Sequence, residues 1–193
     1  MSNIGIFGGT FNPPHVGHLI VIEHVRDQLS YDKIIFIPSA NPPHKRDLSL
    51  APAAVRFEMT RLATSTNSNY FVSDVEIERS GRSYSIDTLN DLSKIYPKAR
   101  LSLIIGIDNL IEFSSWKSPD EILTKADLIV MSRAGYRMED VKNEFSRFAK
   151  FINVPQIGIS GTDIRRRVKL GHSIRYLVPN KVYEYIIQRG LYK

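Results

Sequence analysis

A doubly wound α/β fold on a mainly parallel sheet is what this sequence predicts, on two observations. Four short apolar runs, Ile4 to Phe7, Ile34 to Ile37, Leu101 to Ile105 and Leu128 to Met131, are nearly continuous instead of alternating. That is the pattern of strands covered on both faces, as in parallel sheets. Between them lie stretches whose apolar residues recur at helical spacing. Strand and helix alternate, and right-handed crossovers then place helices on both faces of the sheet in three layers, α/β/α. Ligands of such sheets lie beyond the carboxyl ends of the strands, so the loops leaving the strands hold the candidate chemistry.

The elements follow in order. The first strand runs into Gly8 and Gly9, and a helix is expected to begin near Val16 or Gly17, with Leu19, Ile22, Val25 and Leu29 on one face. After the second strand, Pro38-Ser39-Ala40-Asn41-Pro42-Pro43-His44-Lys45-Arg46 cannot be helical in its middle and reads as a loop at the ligand edge. Val55, Met59 and Leu62 predict a second helix, and Ile86, Leu89 and Leu92 a third. Gly106 and Asp108 follow the next strand at its carboxyl end. Ser118-Pro119-Asp120-Glu121 then marks a helix start, with an N-cap, a proline at the first helical position and a reciprocal Glu. After the fourth strand, Val141, Phe145 and Phe148 predict a helix. Ser160 and Asp163 repeat the capping separation, and Pro179 to Gln188 reads as a last helix stopped by Gly190. Neither a repeat nor a low-complexity linker interrupts the chain.

The chain has 193 residues, of which 42% are hydrophobic, enough to bury one core, and a single domain over 1–193 is expected. It contains no cysteine, which rules out disulfides and thiolate chemistry and suits a reducing compartment; a cytoplasmic location is expected. The start, MSNIGIFGG, lacks a signal-peptide pattern, and no apolar run approaches bilayer-spanning length, so no membrane association is expected. The net charge of +6 suits anionic partners: nucleic acid, acidic lipid or phosphorylated metabolites. The basic run Arg165-Arg166-Arg167-Val168-Lys169 reads as a solvated helix face, and common nucleic-acid motifs are absent, so nucleic acid stays a weak alternative.

GGTFNPPHVGH, residues 8 to 18, concentrates the chemistry. Gly8 and Gly9 let the backbone turn sharply and approach a ligand, and the following helix start offers N–H groups and a positive dipole end to anionic oxygens. His15 and His18, three residues apart, can share one side of the first turn, where each imidazole can donate to phosphate, and Thr10 adds a hydroxyl. Tight packing alone is one competing explanation of the glycines. Zinc ligation is one for the histidines, although no third ligand lies nearby in sequence and HExxH is absent. The other phosphate signatures, GxxxxGK[ST] and GxGxxG, are missing after the first strand.

This stretch resembles the (T/H)xGH signature of the nucleotidyltransferase superfamily. With IPSANPPHKR, SGRSYSIDT, LIIGIDN, Trp116, the SRAGY segment, ISGTDIR and YLVPNKVYEYIIQRGLY, in that order, nearly the whole chain resembles the bacterial nicotinate-mononucleotide adenylyltransferases. The resemblance implies a Rossmann-like fold and transfer of AMP from ATP to nicotinic acid mononucleotide, giving deamido-NAD and pyrophosphate, with Mg²⁺ accompanying ATP.

It also implies the site. His15, His18 and Arg165 would be catalytic; Gly8, Gly9, Thr10, Phe11, Gly106, Asp108, Arg133, Ser160 and Thr162 would complete the ATP site. Lys45, Tyr84, Ser85 and Trp116 would hold the mononucleotide, Trp116 by stacking on the pyridine ring, and no protein metal ligand is implied. Three positions depart from the family pattern: Gly161 replaces a second serine, Ala134 a proline, and Asn12 a common aspartate. The loss of the serine hydroxyl at position 161 is expected to weaken ATP binding at most, and the change at Asn12 puts no identified contact in doubt but removes one negative charge. Nicotinamide mononucleotide or phosphopantetheine as acceptor, a non-catalytic nucleotide-binding module, and a homo-oligomer all remain open on sequence alone.

Overall fold

The computed structural model of the chain describes residues 2–41, 50–132 and 144–193. Six strands, β1 (Asn3–Gly9), β2 (Lys33–Pro38), β3 (Tyr70–Val72), β4 (Arg100–Gly106), β5 (Asp127–Met131) and β6 (Ala149–Ile152), form one sheet in the order β3-β2-β1-β4-β5-β6. All five pairings are parallel. This is the doubly wound α/β arrangement expected from the continuous apolar runs.

Alternate residues of each strand face opposite layers, which explains why the runs are apolar throughout. Ile4, Ile6, Ile35, Ile37, Leu101, Leu103 and Leu128 pack into one cluster with Ile86, Leu89 and Leu92 of helix α4 (Ser85–Ile95). Phe7, Ile34, Phe36, Ile104 and Ile129 pack into the other with Ile22 and Val25 of helix α1 (Val16–Leu29). A third cluster joins α2 (Ala53–Thr64), α7 (Gly161–Lys169) and α8 (Asn180–Arg189) through Met59, Ile164 and Val182. The short helices α3 (Val75–Glu78), α5 (Ile107–Ile111) and α6 (Pro119–Lys125) complete the described elements, together with 3₁₀ turns at Phe113–Ser115 and Glu144–Phe148.

The structure corrects several local expectations. Strands β3 and β6 were not expected: at three and four residues they are too short for a periodic pattern, and as edge strands they are set by pairing with a longer neighbour. The helix expected from Val141, Phe145 and Phe148 is replaced over its described part by the 3₁₀ turn, which leads directly into β6; Val141 itself lies outside the described residues. Phe145 is buried against Phe113, whereas Phe148 is 52% exposed, so the two do not share a buried helical face. The fully buried face of α2 is Arg56, Met59, Thr60, Ala63 and Thr64, and of the expected stripe Met59 lies at its centre while Val55 and Leu62 pack half-buried against the same cluster. Ser118 precedes α6 with φ +51° and makes no capping bond, although Pro119 opens the helix as expected. Ser160, by contrast, caps α7 through Asp163, and Gly190 ends α8 at φ +60°. Among the described residues no helix is long and apolar enough to cross a membrane.

The chain moves outward from β1 to β2 and β3, then returns through β4 to the other side. The switch point therefore lies between β1 and β4, and a crevice opens beyond their carboxyl ends.

Candidate functional site

A cleft of about 1400 Å³ occupies that crevice. Every sequence-predicted site residue within the described segments lines it: Gly8, Gly9, Thr10, Phe11, His15 and His18 from the β1–α1 corner, Gly106 and Asp108 after β4, Tyr84 and Ser85 at the start of α4, Trp116, and Ser160, Thr162 and Arg165 at the start of α7. Lys45 and Arg133 lie outside the described residues.

The β1–α1 corner is built for close approach. Nothing stands within 4 Å of where a Cβ would project from Gly8, so the strand end is open to the cleft. Phe11 turns the chain with φ +47°, a conformation that a bulky residue holds only when its surroundings impose it. Its ring supplies that constraint, packing edge-on to Phe7 and to His18 at 5.7 and 5.2 Å between centroids. His15 and His18 stack with centroids 3.6 Å apart, so the spacing does place them on one side of the first turn. The His15 N–H donates to His18 Nδ1 at 3.1 Å, and this bond fixes the second ring's orientation. His15 is buried, with Nδ1 lacking a hydrogen-bond partner among the described residues, and burial lowers its pKa to about 4. Its ring is therefore neutral at neutral pH.

The expectation that the first-turn N–H groups of α1 all face the cavity is corrected. Val16 N–H donates to the Leu177 carbonyl and His18 N–H to His15 O, leaving Gly17 as the first-turn donor without a partner among the described residues. A Cβ at Gly17 would meet the His15 ring at 3.0 Å, so glycine makes room for that imidazole. At α7, Asp163 N–H donates to Ser160 Oγ at 3.1 Å, while Gly161 and Thr162 lie on the cleft wall.

The two helix starts are tied together. Arg165 Nη1 donates to the Asn12 carbonyl at 2.9 Å across 153 residues of chain. A Cβ at Gly161 would come within 2.8 Å of that same carbonyl oxygen. Two departures from the family pattern thus meet in space, and the absence of a side chain at 161 lets α7 approach the corner.

Asn12 is a hub, a role that its residue type and position in the sequence did not signal. Its Oδ1 accepts from Ala51 N–H at 3.2 Å and from the Tyr192 hydroxyl at 2.8 Å. Burial pushes the Tyr192 pKa up, which keeps that donor protonated. Beneath the corner, Arg56 is 0% exposed and donates to the carbonyls of Ala51, Thr10 and Ala40 at 2.8, 2.8 and 3.2 Å. One guanidinium therefore braces the exits of both β1 and β2, and burial lowers its pKa from the usual arginine value.

On the β4 side, Gly106 is the N-cap of α5, and Asp108 folds back so far that a Cβ at Gly106 would lie 2.5 Å from its Oδ1. Trp116 is half-buried with its ring tilted on Phe113 at 5.2 Å, and contributes to the cleft wall. Tyr84 caps α4 in an extended conformation. Lys117 lies over the Tyr84 ring at 5.0 Å and pairs with Asp87 at 3.0 Å. Ser83 and Asn41 exchange two hydrogen bonds of 3.1 Å, joining the loop after β2 to the segment before α4.

The sequence reading missed Glu76, Lys117, Arg56, Asn12 and Tyr192. A polar residue on the buried face of α2, in step with Met59 and Ala63, is the one signal that could have exposed Arg56. The basic run is absorbed by the fold: Arg165 reaches Asn12, Arg166 pairs with Asp163 at 2.6 Å, and Arg167 donates to the Ser173 carbonyl. No cluster of three or more potential metal ligands occurs among the described residues, so the zinc alternative for the histidine pair gains no support there.

Sequence and fold comparisons give the chain its relatives. A family model described as cytidylyltransferase-like matches residues 6–167. A Desulfitobacterium hafniense protein named "Probable nicotinate-nucleotide adenylyltransferase" is 42% identical, covering 100% of this chain and 96% of its own length. A Dictyoglomus thermophilum protein of the same name is 43% identical over 98% of each chain. In architecture, the chain is similar to a Plasmodium falciparum nicotinic acid mononucleotide adenylyltransferase complexed with NaAD, with a TM-score of 0.79 at 20% identity, covering 100% of this chain and 98% of the other.

Proposed function

The chain belongs to the cytidylyltransferase-like family and, within it, to the nicotinate-nucleotide adenylyltransferases, and from that premise we propose how its residues divide the reaction. The enzyme transfers AMP from ATP to nicotinic acid mononucleotide, forming deamido-NAD and pyrophosphate in NAD biosynthesis. A phosphate oxygen of the mononucleotide attacks the α-phosphorus of ATP, the bond from that phosphorus to the bridging oxygen breaks, and pyrophosphate leaves with the electron pair. No protein nucleophile is needed, so positioning and charge neutralisation supply the acceleration.

The observation that carries this reading is the junction of two helix starts in one cleft, fixed by the Arg165 to Asn12 bond. A triphosphate seated there meets the histidine pair from one side and the amide end of α7 from the other. His15, His18 and Arg165 act on the reacting phosphates, with Gly8, Gly9, Thr10 and Phe11 shaping the floor and Ser160 and Thr162 the facing wall. The neutral state of His15 makes it a hydrogen-bond donor rather than a fixed cation. Asp108 with Gly106 takes the adenosine ribose, and Arg133 the adenine edge. Mg²⁺ would accompany ATP as part of the nucleotide substrate, offsetting the charge of its phosphates.

The acceptor's ring stacks on Trp116, and its carboxylate meets the amide end of α4 at Tyr84 and Ser85, while Lys45 serves the acceptor phosphate. The chain acts as one domain over 1–193, a reading supported by Tyr192 reaching back to Asn12. Initial rates of pyrophosphate release with nicotinic acid mononucleotide and its amide test this assignment. The acid is expected to be used about tenfold faster or better, because a site built for a carboxylate leaves donors unpaired against an amide. Equal rates would remove the assignment of Tyr84 and Ser85, and no pyrophosphate with either would favour a binding module.

A further inference from the structure

Glu76 stands on α3 beside the cleft and is 7% exposed. Its Oε1 accepts from the Thr88 hydroxyl at 2.6 Å. Thr88 Oγ1 also receives Arg79 Nη2 at 3.2 Å, and Arg79 Nη1 pairs with Asp91 at 2.8 Å. The carboxylate is thus anchored through one oxygen to the first turns of α4. Its Oε2 is buried and has no hydrogen-bond partner among the described residues. A carboxylate oxygen left in that condition carries the full cost of lost hydration, and folded proteins satisfy such groups with water, protein or ligand.

The surroundings indicate what completes it. Glu76 lines the main cleft and also a side chamber of about 30 Å³ between Gly8 and Ser85. The space beside Gly8 is open, as noted above, so a small donor can reach the carboxylate from over the strand end. A chamber of this size holds one hydroxyl or one water and excludes a sugar ring. Gly8 borders the phosphate corner and Ser85 the acceptor-ring segment, so a mononucleotide stretched between them carries its ribose past this chamber. Ribose hydroxyls are donors, and a carboxylate at a sheet edge is a suitable acceptor for them.

We infer that Glu76 is a specificity residue for the acceptor, taking a hydrogen bond from a ribose hydroxyl of nicotinic acid mononucleotide at the chamber between Gly8 and Ser85. The inference rests on the adenylyl-transfer reading above, and it gives each ribose in the cleft its own carboxylate, Asp108 for the nucleotide and Glu76 for the acceptor. Discrimination against an acceptor lacking that hydroxyl follows, because the buried oxygen is then left unpaired.

The test is kcat/KM for pyrophosphate release with nicotinic acid mononucleotide and with its 2′-deoxy and 3′-deoxy forms, using wild-type enzyme and Glu76→Gln. Wild type is expected to use one deoxy form about tenfold less well or worse. In Glu76→Gln, which keeps an oxygen for Thr88 but turns the second position into a donor, that difference should shrink to within about twofold. The variant's KM should rise for the acceptor and stay unchanged for ATP, a split that a merely structural role would not produce. Wild type that uses both deoxy acceptors as well as the parent overturns the inference alone, whether or not the variant folds; so does full discrimination retained in Glu76→Gln. Failure of the parent acceptor itself overturns the adenylyl-transfer reading together with the inference.

Discussion

The two sides of the cleft are held together in different ways. The phosphate corner is cross-braced by buried groups drawn from distant parts of the chain: Arg56 under Thr10 and Ala40, Tyr192 and Ala51 on Asn12, Arg165 on the Asn12 carbonyl. The acceptor side is joined near its rim by the Lys117–Asp87 pair and by the Ser83–Asn41 bonds, with solvent close by. Transition-state charge is best stabilised by dipoles that need not reorganise, whereas a site that must admit and release a mononucleotide can be looser. The difference teaches that rigidity in this molecule is spent where phosphorus chemistry occurs.

Breaking the brace should have the largest effect. Arg56→Met leaves three carbonyls without their donor, and at 1–3 kcal/mol for each unsatisfied group the variant should lose ~3 kcal/mol or more of stability, read by denaturant unfolding. A loss below about 1 kcal/mol would mean that water replaces the guanidinium and that the corner is not preorganised by it.

His18→Ala removes a ring from the phosphate side without touching that brace. A fall in kcat of ~10²–10³-fold with an unchanged far-ultraviolet dichroism spectrum is expected, the scale of losing one oxyanion donor. A folded variant with near-normal kcat would separate the histidine pair from the reaction.

Acid should expose the same asymmetry. His15 has a pKa near 4 when folded, against an ordinary histidine value of 6.5, so between these values the unfolded chain binds more protons and stability rises with pH. The contribution is fully present above pH 6.5 and lost as pH falls toward 4, on the order of 3 kcal/mol at full shift. Unfolding free energies measured across that window should decline, and His15→Gln should flatten the decline. ATP with magnesium should raise the His15 pKa, read from its imidazole proton resonances, since a nearby anion favours the charged ring.

Lys117→Ala marks the other extreme. The ion pair that it breaks is solvent-facing, with the two side chains 47% and 32% exposed, and pairs of this kind contribute under ~1 kcal/mol. Only a small rise in acceptor KM is expected, and a large loss of stability would show that the acceptor side is as tightly built as the corner.

What could be read from the sequence follows the same division by distance along the chain. The continuous strands, the placing of His15 and His18 on one side of the first turn and the Ser160 cap all depend on neighbours within a few residues, and all are legible. The sharp turn expected at Gly8 and Gly9 is instead made at Phe11, since both glycines still belong to β1. The Tyr192 and Arg165 bonds to Asn12 span 180 and 153 residues and carry no local signature. Glu76 looks like any acidic residue of a polar segment until its burial is known. Edge strands β3 and β6 were missed because partner strands, rather than local propensity, determine them. Ser118 shows the converse error: a valid capping pattern on a left-handed backbone, whose side chain makes no capping bond among the described residues.

Diffraction from crystals grown with magnesium and a non-hydrolysable ATP analogue tests the central claim most directly. Its triphosphate should lie within hydrogen-bond distance of the His15 and His18 rings and of the amide groups at Gly161 and Thr162, with Arg165 still bonded to the Asn12 carbonyl. A triphosphate bound outside that junction, with both imidazoles out of reach, would contradict it.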